Sequence, residues 1–227
     1  MACSDPSLFS TEPAILRQMT FGNVPQSSYR LIATCRVQRC TNCSPGNTEP
    51  VPILRSQLSG WCITCPLCGD LFRDASGRDI SSPFHRYRRG ALRGEKLLKD
   101  EAERSVCTWA SPSEIARLLL MRRIPRPVLP EEELGRSRVL GAIIPDLDRV
   151  VAEQQKNLPT PASPILPLQM RPALLAGVAI VECGRPETLR MLRSHMMGDN
   201  KVRFSDTVES MIAQARCPHA FWQLHLI

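Results

Sequence analysis

Two pairs of cysteines, each separated by two residues, constrain this chain more than any other feature. They are Cys40-Thr41-Asn42-Cys43 and Cys65-Pro66-Leu67-Cys68, followed by Gly69, with 21 residues between Cys43 and Cys65. Two intervening residues let both sulfurs of a pair converge from one tight turn. Two such turns supply the four thiolates of a closed tetrahedral site, the arrangement a structural zinc ion prefers. Pro66 presets its own φ and Gly69 accepts a positive φ, as a turn of this kind needs. The stretch from Cys35 to Gly69 holds six of the ten cysteines. Cys35 and Cys62 are left over as ligands of a second ion, as a competitor of Cys68 in the case of Cys62, or as small buried hydrophobes, the reading favoured here. Cys3, Cys107, Cys183 and Cys217 have no partner at ligand spacing and take the buried reading too.

The compartment decides between metal and disulfide. The start, Met1-Ala2-Cys3-Ser4-Asp5-Pro6, lacks the basic and apolar regions of a signal peptide. No apolar run approaches the ~18 residues of a membrane-spanning helix. A cytoplasmic location with no membrane partner is expected, where clustered cysteines bind metal rather than pair. Four thiolates close the coordination shell and suppress Lewis acidity. The sequence carries no Walker loop, dinucleotide fingerprint, H-E-x-x-H helix or G-x-S-x-G elbow. His85, His195, His219 and His225 stand apart from the cysteine pairs and are read as surface or core residues. The chain is therefore read as a non-enzyme with Zn2+ as its cofactor.

Charge singles out the next segment. Residues 73–126 hold 13 basic and 7 acidic side chains, which accounts for +6 of the formal +7. Its densest part, Arg86-Tyr87-Arg88-Arg89 through Arg93, Lys96 and Lys99, offers guanidinium forks for phosphate and one aromatic ring for stacking. These seven residues are the candidate nucleic-acid contacts. The blander account is a solvated face that also balances the formal −2 of a four-thiolate zinc.

Elsewhere the chain reads as helices broken by its 20 prolines. A short helix is expected from Ser10 to Gly22. Val51–Gln57 and Trp61–Thr64 read as short strands around Ser59-Gly60, giving a zinc ribbon too small to fold without its metal. Ser111-Pro112-Ser113-Glu114 is a capping box with proline at the first helical position. The helix it starts is expected to end at Pro125, Pro127 and Pro130. That helix has the start of a helix-turn-helix pair, but its proline-rich exit favours an ordinary core helix. Further helices are expected over Glu131–Ile144 (broken or restarted at Pro145), across the apolar Ala173–Val181, over Pro186–Met197 closed by Gly198, and over Ser205–Ala215 with Ser205 as N-cap. The organisation is a tail and short helix over 1–34, a zinc-ribbon module over 35–75, a basic segment and helical domain over 76–156, a Pro-rich linker over 157–172 and C-terminal helices over 173–227. The fold class is α+β, a small zinc ribbon followed by a mainly α-helical region.

One family carries a similar pattern. Met19-Thr20, Arg36-Val37-Gln38-Arg39-Cys40-Thr41-Asn42-Cys43, Pro52-Ile53-Leu54-Arg55, Trp61 and Cys65-Pro66-Leu67-Cys68-Gly69 together resemble the TniQ family of transposition proteins. The likeness covers about residues 15–75, with Thr41 at the family's usual proline and Cys68 at its common histidine. It implies a non-catalytic accessory of a DNA transposon that selects the target. Such a protein binds DNA or a guide-RNA complex and works with an AAA-type ATPase and a transposase. Only Cys40, Cys43, Cys65 and Cys68 carry over, as metal ligands. The alternative from the residues alone is a zinc-ribbon protein-interaction adaptor that does not touch nucleic acid.

Overall fold

The structure, a computed structural model, describes residues 38–43, 55–74, 77, 81–104, 106–123, 138–153 and 168–216. In chain order the elements are β1 (Gln38–Arg39), α1 (Arg55–Leu58), β2 (Arg73–Asp74), α2 (Arg88–Arg104), α3 (Pro112–Leu120), α4 (Asp146–Glu153), α5 (Arg171–Arg193) and α6 (Gly198–Arg216). Single 3-10 turns lie at His85–Tyr87, Val139–Ala142 and Leu168–Met170. The sheet is two-stranded and antiparallel, with Gln38 opposite Asp74 and Arg39 opposite Arg73. The described residues thus form an α+β chain of mostly helical content with a cysteine cluster at its N-terminal side.

Helices α2 and α5 form the spine. Ala91, Gly94, Glu95, Leu98, Glu101 and Ala102 recur at helical spacing and are buried along one side of α2. Gly94 is needed for the close approach, because a Cβ there would run into the Leu175 carbonyl of α5. The main core gathers Phe84, from just before α2, with Ile115, Leu118, Leu119, Leu120, Leu140, Leu147, Val178, Leu189 and Phe204, drawn from α3 to α6 and the turns between them. A second apolar cluster joins Cys40, Trp61, Ile63, Cys65 and Phe72 to Ala91, Leu98 and Ala102 of α2 and Leu175 of α5. The spine therefore has the helical core on one side and the cysteine region on the other.

The start of α3 follows its sequence signal. Ser111 Oγ accepts from the Glu114 amide at 3.1 Å, and Pro112 is the first helical residue. The exit differs from expectation. α3 stops at Leu120, before any of the three prolines, and Met121 is extended. Arg122 then bridges Arg138 in antiparallel fashion, and Val139 N donates to Met121 O at 3.0 Å. Arg138 Nη1 also donates to Leu120 O at 2.9 Å, satisfying a carbonyl at the open helix end. Among the described residues no tight turn leads from α3 into a second helix.

Several further expectations are corrected. Arg55–Leu58 is helical although Val51–Gln57 reads as a strand, and Trp61–Thr64 contributes only the isolated bridge Thr64–Leu71. The strand pairing falls instead to residues just outside the span, at Gln38–Arg39 and Arg73–Asp74. Of the helix expected over Glu131–Ile144, Val139–Ala142 is a 3-10 turn, and α4 begins only after Pro145 with Asp146 and Asp148 in its first turn. Residues 168–172, expected in the linker, form a 3-10 turn and the start of α5. Met170 and Arg171 are buried there. α5 breaks at Arg185, whose φ of +55° lies in the left-handed region, immediately before Pro186. The second half ends at Arg193 rather than Met197, and α6 starts at Gly198 rather than Ser205. Ser205 is inside α6, its Oγ donating to Lys201 O at 2.7 Å, the local bond a helix-interior serine makes instead of capping. The Ser10–Gly22 helix, Cys3, Cys35, Cys217, His219, His225 and Pro125 to Pro130 lie outside the described residues.

Candidate metal centre

Each cysteine pair sits on its own turn, and the two turns face each other. In the second, Gly69 N donates to Cys65 O at 2.8 Å and Cys65 N to Asp70 O at 2.7 Å. Gly69 has φ of +80°, which an L side chain adopts only with strain. The hairpin continues through Thr64–Leu71 and a 2.9 Å bond from Phe72 N to Ile63 O. The first turn, Cys40 to Cys43, leaves β1 and is tied to the second by a hydrogen bond from Asn42 Nδ2 to Asp70 Oδ2.

The four sulfurs of Cys40, Cys43, Cys65 and Cys68 all lie within 4.8 Å of one another. Cys40 Sγ is 3.4 Å from Cys68 Sγ, and Cys65 Sγ is 3.8 Å from Cys43 Sγ. A tetrahedron with metal–sulfur bonds of ~2.3 Å has sulfur–sulfur edges of about 3.8 Å. The spacing therefore fits one ion. Cys40 and Cys65 are buried, Cys43 is half-buried and Cys68 is exposed, so the cluster opens to solvent on one side. Burial pushes the Cys40 thiol up, but the Cys43 amide, the Cys68 thiol and the Asn42 amide outweigh it and bring it below its ordinary value. The Cys43 thiol is pushed up to about 12 by the Cys68 thiol and by burial. Crowded sulfurs resist ionising together, and a bound cation relieves that repulsion.

Cys62 is excluded from the set. It is buried in the second apolar cluster, and burial followed by the Glu95 carboxylate pushes its thiol up to about 12. Cys107 and Cys183, read as buried, are exposed instead. Cys107 lies between α2 and α3, where its thiol is 3.8 Å from Glu101 Oε1, and Cys183 is on the outer side of α5 beside the Arg185 break. His85 and His195 are exposed and outside the sulfur cluster.

Three polar residues join this centre to the spine, and none was singled out by sequence. Gln38 is fully buried, its Nε2 donating to Ser56 O at 2.5 Å, Ser59 O at 3.2 Å and Cys62 O at 3.4 Å. Arg171, at the start of α5, donates through Nη1 to Gln38 Oε1 and at 2.6 Å to Cys62 O. Burial lowers its guanidinium to about 10. Glu95 of α2 accepts from Ile63 N at 2.6 Å, Thr64 N at 3.0 Å and Thr64 Oγ1 at 2.8 Å. Burial holds its carboxyl above the ordinary range despite these donors. A fourth, Glu101, does the same work between helices, accepting from Ser111 Oγ and, at 2.9 Å, from Ser113 N at the start of α3. Motif reading missed them because their partners are 10 to 133 residues away. The one local sign is a pair of glutamates, Glu95 and Glu101, on the otherwise small and apolar side of α2.

The basic run occupies the 3-10 turn and the outer side of α2. Arg86, Arg88, Arg89, Arg93 and Lys96 are exposed, whereas Tyr87 and Lys99 are half-buried. Arg86 pairs with Asp146 and lies 4.7 Å over the Tyr87 ring, which itself packs against the core. Tyr87 thus already carries a cation on one face. Arg93 pairs with Glu182 of α5 at 2.8 Å. Arg88, Arg89, Lys96 and Lys99 form no ion pair with a described residue.

Comparison of the chain with protein-family models, curated proteins and solved structures gives no match. The geometry defines the class at this level: an α+β protein whose four clustered cysteines are close enough to hold one metal ion. No helix among the described residues is long and apolar enough to cross a membrane.

Proposed function

We propose that the chain is a non-catalytic, cytoplasmic DNA-binding accessory protein whose four-cysteine module is a zinc ribbon. The observation that carries the reading is a four-sulfur cluster packed against a helix whose other side is basic. Sulfur ligands alone suit structural Zn2+. The ion fixes the two turns, their shared core fixes α2, and α2 presents Arg88 and Arg89 with no ion pair to a described residue. Arg86 and Arg93 reach phosphate by exchanging Asp146 and Glu182 for it. The resemblance to TniQ proteins supplies the setting: target selection in DNA transposition, alongside an AAA-type ATPase and a transposase, on DNA or a guide-RNA complex.

Filter binding of duplex DNA over a salt series tests the contact. Affinity should fall steeply with salt, and Arg88→Ala/Arg89→Ala should reduce the logarithmic slope by about two. Affinity that is flat from low to moderate salt contradicts the reading. Neighbouring genes for an integrase-type transposase and an ATPase, with co-purification of their products, would support the setting. The adaptor reading is favoured by one observation, that Arg86 and Arg93 are already paired within the chain. It predicts no DNA retention at any salt.

A further inference from the structure

A cleft of about 370 Å³ runs between the second cysteine turn and α2. Trp61, Cys62, Pro66 and Leu92 give it an apolar lining, while Lys96 and Lys99 stand on the α2 side. Its composition differs from that of the rest of the basic helix. Leu92 is 39% exposed in the middle of a charged side, with Arg88 one turn before it and Lys96 one turn after. Leu67, next to the lining Pro66, is 67% exposed, and Leu71 on the same hairpin is 46% exposed. Exposed leucines beside a concave apolar surface are the usual mark of a protein-binding groove.

Charge says what kind of segment fits. Neither Lys96 nor Lys99 forms a close ion pair with a described residue, although the Lys99 charge is near enough to favour the ionised Glu95 carboxylate. Of the two carboxylates at the cleft, Glu95 is committed to the Ile63 and Thr64 amides, and only Glu103 is free to solvent. We infer that this cleft docks a short amphipathic segment of a partner protein. The segment places a leucine- or phenylalanine-like side chain against Pro66 and Leu92, with only the exposed edge of Trp61 beneath it, and one or two carboxylates against Lys96 and Lys99. A nucleic-acid strand is the poorer occupant. Trp61 is only 6% exposed, too covered to offer its ring face to a base, and phosphates would leave the leucines in water. The inference does not rest on DNA binding. It assigns Lys96 and Lys99 to the peptide and leaves Arg88 and Arg89 to phosphate.

The probe is a random-peptide phage library panned on the metal-loaded full chain. Selected peptides are then labelled with fluorescein and titrated by anisotropy. Expected are sequences with Asp or Glu within a few residues of Leu, Ile or Phe. Their affinity should fall about tenfold or more in Lys96→Glu/Lys99→Glu, where like charges meet, and also in the exposed-site variant Leu92→Asp. It should be unchanged in Arg88→Ala/Arg89→Ala, and duplex DNA should not displace the peptide. Metal content and melting temperature matching the parent chain show that each variant is folded. Selection of no peptide, of peptides without acidic residues, or of peptides indifferent to Lys96, Lys99 and Leu92 overturns the inference. So does displacement by DNA together with a larger loss of DNA binding from the lysine pair than from the arginine pair. Failure of the DNA titration alone leaves the cleft assignment standing.

Discussion

The cysteine module and the helical body reach order by different means. Among the described residues, the module from Gln38 to Asp74 has four strand residues and one short helix. Its apolar cluster is completed by Ala91, Leu98, Ala102 and Leu175 from the spine, with Leu168 packed against it. The helical body has a 25-residue buried cluster of its own. A segment that small buries too little apolar surface of its own to offset its ordering entropy, so on the proposed reading a bound metal supplies the difference. A helical core of that size needs no such ion. The two halves should therefore come apart under different insults.

The sharpest separation is Cys65→Ser. It should abolish metal binding and remove most of a term on the order of 10 kcal/mol. Circular dichroism should nevertheless retain the helical signal of α3 to α6, with Trp61 fluorescence shifting to the red as the module opens. Complete loss of helicity would break the comparison, by showing that the body depends on the module.

Leu119→Ala addresses the other half. The side chain is fully buried between helices, and its truncation should cost about 2–5 kcal/mol in denaturant unfolding. Metal content of the folded fraction should stay the same.

The join is tested by Arg171→Met. Removing the guanidinium leaves Gln38 Oε1 without this donor in a buried site, and Cys62 O with only the 3.4 Å bond from Gln38 Nε2, at a cost of about 3 kcal/mol. Metal should still bind, but a chromogenic chelator should strip it faster. An unchanged stripping rate would mean the join does not support the centre.

The pattern of what was legible follows the range of each interaction. The four clustered cysteines were readable because each pair lies within four residues of chain, and Ser111 was readable because an N-cap acts on an amide three residues on. Arg55–Leu58 was misread because its turn ends among carbonyls held by Gln38, a partner 18 to 24 residues away. Ser205 looked like a cap because the signal ignores whether the preceding residues are already helical; burial of Phe204 keeps them so. The join through Arg171 had no local sign, since its partner Gln38 is 133 residues distant.

The smallest effect concerns Glu101. Burial holds its carboxyl above the ordinary range, so the folded chain takes up a proton more readily than the unfolded one. The sign follows: its contribution is largest below the ordinary carboxylate range and is lost as pH rises through the raised value. Glu101→Gln should flatten that part of the stability–pH curve and cost about 1 kcal/mol at neutral pH through weaker capping of α3. A curve of unchanged slope would show that the carboxyl titrates as it does in the unfolded chain.

On the proposed reading Cys40, Cys43, Cys65 and Cys68 hold one ion and no other ligand completes its shell. X-ray absorption at the zinc edge on the purified, metal-loaded chain tests it most directly. One equivalent of metal with four sulfur neighbours at ~2.3 Å is expected. A shell containing nitrogen or oxygen, or a chain that binds no stoichiometric metal, would contradict it.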